Sequence, residues 1–226
     1  MSFTKVDICS QALALIRANS ISSFDEDSEE AKTCSLLYDS FVKDIFSRYP
    51  WSFATKIQAL PRLALDPVDT KYKCAYAMPN DWQRILAVYD NNGNLIDDYE
   101  ISGEDLGKNS SGVKTPILLA NNSSGVKTPI LLANNSSGVK IKYTRYVEES
   151  NWPGYFINYA IHALADLLAG PITDDDATID KMHRLAYGGP GEGERGGKFA
   201  VATYTDTQQQ PSTEMDSNIL IAARFA

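Results

Sequence analysis

Basic residues are scarce in this chain. Lys and Arg number 21 against 29 Asp and Glu in 226 residues, a net charge of −8. A groove that grips nucleic acid gathers Lys and Arg to displace counterions from phosphates, and no such gathering is visible, which argues against that class. A wall past which DNA merely slides remains compatible with the acidity. Histidine is scarcer still: His162 and His183 each fall on a predicted helix, and neither has the HExxH spacing of a zinc site. The three cysteines, Cys9, Cys34 and Cys74, are scattered and odd in number, which favours buried free thiols over a disulfide framework or metal cluster. No apolar run is long enough to cross a bilayer, and MSFTKVDICSQALALI lacks the basic region and unbroken apolar core of an export signal, so a cytoplasmic start and no membrane partner are expected. Without such a signal, Asn122-Ser123-Ser124 and Asn135-Ser136-Ser137 read as turn chemistry, although they spell glycosylation acceptors.

Catalytic spellings are equally thin. Gly191, Gly193 and Gly196 satisfy GxGxxG, but the run follows a predicted helix instead of a strand, opens no predicted helix, and holds Glu192 and Glu194, which repel a pyrophosphate. Gly197-Lys198 is not a Walker loop, because Glu192 stands where its first glycine belongs and Phe199 where its hydroxyl belongs. Asp174, Asp175 and Asp176 suggest a cation site, yet carboxylates at a helix start are already explained by the helix dipole. No nucleophile elbow and no Cys-His pair with a local signature is found. The expectation is therefore a protein that is not an enzyme, with no catalytic, cofactor or metal residue. A nucleotide-using enzyme built on the 188–198 glycines is the alternative from another class.

What is present is amphipathic helix. Asp27 and Glu30 form a capping pattern, and the carboxylates of residues 25–30 lie where unpaired amides favour negative charge. Ala31, Cys34, Tyr38, Phe41 and Ile45 then fall at three-four spacing, flanked by Leu37 and Phe46, and Pro50 stops the helix ahead of Trp51 and Phe53. An earlier helix over about 5–18 is capped by Thr4, carries Val6, Cys9, Leu13 and Ile16, and ends at Asn19 as a left-handed terminator. The short link predicts that these two helices lie side by side. Trp152-Pro153 opens a third helix over about 154–169, with Phe156, Tyr159, Ala163, Leu164, Leu167 and Leu168 inward and Gly170-Pro171 at its end. A fourth spans about 176–187 with Ile179, Met182, His183 and Tyr187.

Between the second and third helices the texture is β. Residues 51–61 and 71–78 read as extended, Arg84 to Tyr89 as a core strand, and Asp90 to Asn94 as a hairpin turn with Leu95 to Ile101 returning antiparallel. Val139 to Val147 alternates cleanly as a strand. Residues 110–122, SSGVKTPILLANN, recur unchanged at 123–135, and 136–140 begin a third copy. Perfect copies so few in number do not make a solenoid, so the duplication is read as lengthening a loop over 102–139. Ile117, Leu118, Leu119, Ile130, Leu131 and Leu132 would then be exposed and would contact a neighbour or a following layer. From 188 the chain reads as a flexible arm whose apolar end, Ile219 to Phe225, orders against a partner through Ile219, Leu220, Ile221, Arg224 and Phe225. The fold class is α+β: residues 1–50 and 151–187 as a bundle of about four antiparallel helices, 51–150 as an inserted antiparallel β module with a long loop, and 188–226 as the extended arm.

Certain stretches carry a family resemblance. ALALIRANSISSFDEDSEEA, CSLLYDSFVKDIFSRYPWSFATK, CAYAMPNDWQRILAV, YEISG and WPGYFINYAIHALADLLAGPIT, in this order, resemble the tail tubular protein A, or head-to-tail adaptor, family of short-tailed bacteriophages. Its most specific pieces are Tyr49 to Ala54 and Tyr76 to Asp81, with Arg84; the doubled segment and the glycine-rich run depart from the usual pattern. The resemblance implies a virion protein of the tail neck, assembled in the host cytoplasm as a dodecameric ring. Portal protein, tail nozzle protein and tail fibres would be its partners, and the genome would pass through without specific binding. It implies no catalytic residue and no cofactor. A different connector or stopper layer is the alternative within the same class.

Overall fold

In the computed structural model the described residues are 3–64, 67, 71–102, 106–108, 114–116, 129–173 and 175–209. Their elements run α1 (Lys5–Leu15), α2 (Glu29–Arg48), β1 (Thr55–Leu60), β2 (Cys74–Ala77), β3 (Trp82–Asp90), β4 (Tyr99–Ser102), β5 (Leu106–Lys108), β6 (Lys114–Pro116), β7 (Ile130–Ala133), β8 (Val139–Arg145), α3 (Gly154–Ile172), α4 (Asp176–Tyr187) and α5 (Gly197–Gln208). The class is α+β, with helices and small antiparallel sheets. The chain divides into two compact units, one built on Ser35–Trp152 and the other on Thr4–Cys34 with Pro153 onward. The expected boundary at residue 50 is thus moved: it falls inside α2.

In the helical unit, α3 is the central element and packs against α1, α4 and α5, while α4 also packs against α5. Phe156, Tyr159, Ala160, Leu164 and Leu168 are fully buried, because an apolar stripe wider than one partner helix must be covered from several sides. Leu167, expected inward, is 40% exposed. α1 begins with a reciprocal cap, the Thr4 hydroxyl accepting from the Asp7 amide at 3.2 Å and the Asp7 carboxylate accepting from the Thr4 amide at 2.9 Å. Its left-handed exit lies at Arg17, φ 62°, and not at Asn19, whose side-chain amide instead donates to Glu30 at 2.9 Å. α1 packs chiefly on α3, and within this unit it also meets the first turns of α2, where the Cys9 and Cys34 thiols, both fully buried, lie within hydrogen-bond reach of each other. The N-cap of α2 is Ser28 instead of Asp27: its hydroxyl accepts from the Ala31 amide at 3.2 Å. α3 runs through Pro171 to Ile172; Pro171 has no N–H to give to Leu167 O, and the helix is closed beyond it by Thr173 N donating to Ala169 O at 2.9 Å.

The other unit joins the later part of α2 to two three-stranded antiparallel sheets, ordered β1-β8-β3 and β2-β7-β4. Every second residue of β8, Val139, Ile141 and Tyr143, is buried and packs with Leu60 and Val88 of its own sheet against Tyr76, Leu131 and Ala133 of the other. The aromatic corner after α2 is equally dry. Trp51 is fully buried and its indole donates to Ile45 O at 2.9 Å, while Phe46 lies 6.0 Å from Phe53, 6.1 Å from Tyr146 and 5.8 Å from Trp152 between ring centroids. The hairpin after β3 is confined to its turn, where Ile96 N donates to Val88 O; Tyr99–Ser102 then leaves and pairs with β7 in the other sheet.

The duplicated segment corrects the sequence reading most. Its second ILLA is β7, the middle strand of its sheet, hydrogen-bonded to β2 and β4 on either side. Ile130, Leu131 and Leu132 are 3%, 0% and 1% exposed, so they are core and not a contact surface. Leu131 and Ala133 face the inter-sheet core, while Ile130 and Leu132 join Tyr72 and Ala75 in a second cluster with Leu63 against it. An apolar four-residue run enclosed on both faces is the signature of a central strand. Ile117, Leu118 and Leu119 lie outside the described residues.

Candidate interaction surfaces

The glycine-rich run expected to be flexible is a folded turn between α4 and α5. Gly196 N donates to Tyr187 O at 2.8 Å, and the Glu192 carboxylate turns back to accept from Gly189 N at 2.9 Å. Two positions require glycine. Gly188 sits at φ +93° with Glu192 Oε2 where a Cβ would be, and Gly197 at φ +56° brings its Cα side against Leu185 O. The run does open a helix, contrary to expectation. Yet Glu192 fills the turn with its own carboxylate, so the loop offers a phosphate negative charge in place of free amides.

That helix, α5, is an element the sequence concealed. Phe199 packs on Tyr159 at 5.4 Å between centroids, Ala202 is 1% exposed, and buried Asp206 accepts from the Tyr155 hydroxyl at 2.6 Å. Its outer face carries Val201 and Tyr204, 61% and 69% exposed. The chain is therefore fixed as far as Gln209. The proposed arm residues Ile219, Leu220, Ile221, Arg224 and Phe225 lie outside the described residues; the arm cannot begin at 188, because 197–208 are committed to α3 and α4.

Titratable groups are used for structure. His183 Nδ1 lies 3.1 Å from Asp166 Oδ2 on an exposed surface, and His162 Nδ1 lies 2.8 Å from Asn158 O within its own helix. Asp175 caps α4 by accepting from Thr178 Oγ1 at 2.6 Å and from Ala177 N at 3.1 Å, which holds its carboxyl below the usual range. Among the described residues no group of three or more His, Cys, Asp and Glu could hold a metal, and all three cysteines are buried. Among them too, no helix is long and apolar enough to cross a membrane.

Glu149, 6% exposed, accepts from the hydroxyls of Tyr38 at 3.2 Å and Tyr146 at 3.3 Å, tying α2 to the segment after β8. Tyr143 Oη lies 3.1 Å from both Gln58 Oε1 and Asp81 Oδ1. Burial, then the charges of Asp81 and Glu149 respectively, pushes the Tyr143 and Tyr146 phenols up to about 12. A folded-state pKa above the unfolded value of about 10 means that both hydroxyls stabilise the fold fully below about pH 10 and stop doing so as pH rises through about 12. Thermal melts should show a melting temperature that is flat to about pH 9.5 and falls beyond it, with Tyr146→Phe flattening the fall. An unchanged melting temperature up to about pH 12 would mean that these hydroxyls are not held as described.

Trp51, Tyr76 and Arg84, the most specific residues of the family resemblance, are structural: Trp51 and Tyr76 are fully buried and Arg84 Nη1 donates to Ser47 O at 3.1 Å. No protein-family model matches the sequence, and no curated protein matches it.

Proposed function

We propose that this protein is a structural component of a phage virion, one subunit of a dodecameric head-to-tail adaptor ring between portal and tail nozzle. Beside the resemblance, the observation that carries this reading is the geometry of α5. A helix locked to α3 and α4 delivers the chain to a fixed point at Gln209, from which a polar stretch leads to the apolar Ile219 to Phe225. A polar stretch ending in an apolar one is suited to docking on a partner, here the portal protein. Chemistry is borne by no site in this reading; shape and contact do the work. The net charge of −8 suits a channel through which DNA must move without sticking, since gathered Lys and Arg would hold phosphates. Tail nozzle and tail fibres are the partners on the opposite side.

Removal of residues 211–226 should leave a folded protein that no longer captures purified portal protein, measured by co-sedimentation. Undiminished capture would refute the role of the arm. A stopper or another connector layer is the second reading, and imaging of the assembled particle separates the two by position.

A further inference from the structure

The sheet β1-β8-β3 has one face in the core and one open. Register places Ile57, Lys142 and Ala87 in one row of the open face and Ala59, Lys140 and Tyr89 in the next. Ile57 is 61% exposed, and Leu95, bridged to Tyr89, is 58% exposed. The charges on this face have one sign. Lys140 and Lys142 occupy its middle strand and no carboxylate occurs among the positions of these two rows; the next row, Thr55, Thr144 and Arg84, is closed, with Thr144 fully buried and Arg84 donating to Ser47 O. Lys140 donates only to a backbone carbonyl, Asn91 O at 3.2 Å, and Lys142 has no hydrogen bond or ion pair among the described residues. In a chain of net charge −8, an apolar face centred on unneutralised lysines is an exception that calls for an acidic occupant.

The chain carries such an occupant itself. Residues 25–30 hold five carboxylates in six positions. Asp27 pairs with Lys32 at 2.6 Å, but the side chains of Asp25 and Glu29 have no partner among the described residues and both residues are exposed. The loop is already ordered: Glu26 accepts from Ser22 N at 2.7 Å and Ser23 N at 3.2 Å, and Ser23 Oγ accepts from Asp25 N at 3.1 Å. Little conformational freedom is left to lose on docking.

We propose that the open face of β1-β8-β3 binds the acidic segment 22–30 of a second copy of this chain, Lys140 and Lys142 meeting Asp25 and Glu29. The contact is heterologous, each copy offering two different surfaces, and contacts of that kind generate a ring where the rotation between copies closes. The inference rests on the ring reading above. It also assigns the lysines to the subunit contact and leaves the channel acidic.

The test is a charge swap in the full chain, read by sedimentation velocity without portal or DNA. Wild type should self-associate, more weakly as salt is raised. Lys140→Glu/Lys142→Glu and Asp25→Lys/Glu29→Lys, each shown to be folded by circular dichroism, should each associate at least about tenfold more weakly alone. Mixed in equal amounts they should associate again, to within about threefold of wild type, because each supplies the surface that the other now needs. A mixture that stays dissociated overturns the proposal, as does a wild type that is monomeric at low salt. Loss of binding to duplex DNA in the lysine variant, with self-association intact, overturns it in favour of nucleic acid. Portal capture is read separately: its failure with a restored mixture refutes the adaptor reading and leaves this contact standing, and the reverse result does the opposite.

Discussion

Trp51→Ala should lower the unfolding free energy by about 3 to 5 kcal/mol, the range for truncating a large aromatic in a packed core. The side chain is fully buried, its ring lies 4.9 Å from Tyr49 and 6.4 Å from Phe53 between centroids, and its indole supplies Ile45 O with a hydrogen bond at the end of α2. Truncation removes all three effects at once: it opens a cavity, breaks the aromatic contacts and leaves a buried carbonyl without its donor. Trp51→Phe keeps most of the volume and loses the donor, so it should cost less, about 1 to 3 kcal/mol. Urea unfolding of both variants, followed by circular dichroism, gives the two values. A loss below about 1 kcal/mol for the alanine variant would show that the corner after α2 does not organise its unit. Because native stability is about 5 to 15 kcal/mol in total, the alanine variant should be aggregation-prone at physiological temperature.

Such a corner is legible in a sequence because its signals are local and large: a proline, two aromatics, and an apolar stripe of the right period leading into them. The same holds for the cap at Thr4, and for the alternation of Val139 to Arg145. α5 is not legible in this way. Thr203, Thr205 and Thr207 lower its helix propensity, and its buried face is marked by Ala202 and Asp206 instead of a leucine stripe. The threonine hydroxyls are instead absorbed by carbonyls one turn back, at 3.0, 2.8 and 2.7 Å, and Asp206 by Tyr155 of α3. Tertiary contact therefore decides the helix. The glycines before it read as a linker for a similar reason, since their order depends on Glu192 reaching back, a contact that composition does not display. Of the expected contact residues, Ile130 to Leu132 mislead because a loop-like neighbourhood suggests exposure, whereas the strands that cover them, β2 and β4, lie 28 or more positions earlier in the chain.

Leu131→Ala should cost about 2 to 5 kcal/mol, while deletion of residues 117–129 should change stability by no more than about 1 kcal/mol. The repeat is the reason for the contrast. Removing 117–129 joins Pro116 to Ile130 and leaves ILLANNSSGVKIKYTR intact, so every contact of β7 with β2 and β4 survives. What changes is the connection from Ser102 to Ile130, which is roughly halved, and halving a loop alters closure entropy by only about 0.6 kcal/mol in favour of the fold. Two identical copies cannot be told apart by propensity or pattern; the residues on the C-terminal side of the second copy select it as β7. The copy adjoining Val139–Arg145 leads through a tight turn in which Asn134 Oδ1 accepts from Lys73 N at 3.1 Å, Asn135 O accepts from the Tyr76 hydroxyl, and Ser137 O accepts from the Asn91 side chain. That turn carries the chain directly from the middle of one sheet into the middle of the other, so β7 and β8 place the centres of both sheets together. Leu131 sits at this junction, fully buried between the sheets, and its truncation should therefore loosen both, read as faster amide exchange in β8 as well as in β7. Exchange that quickens in β7 alone would show that the two sheets open independently.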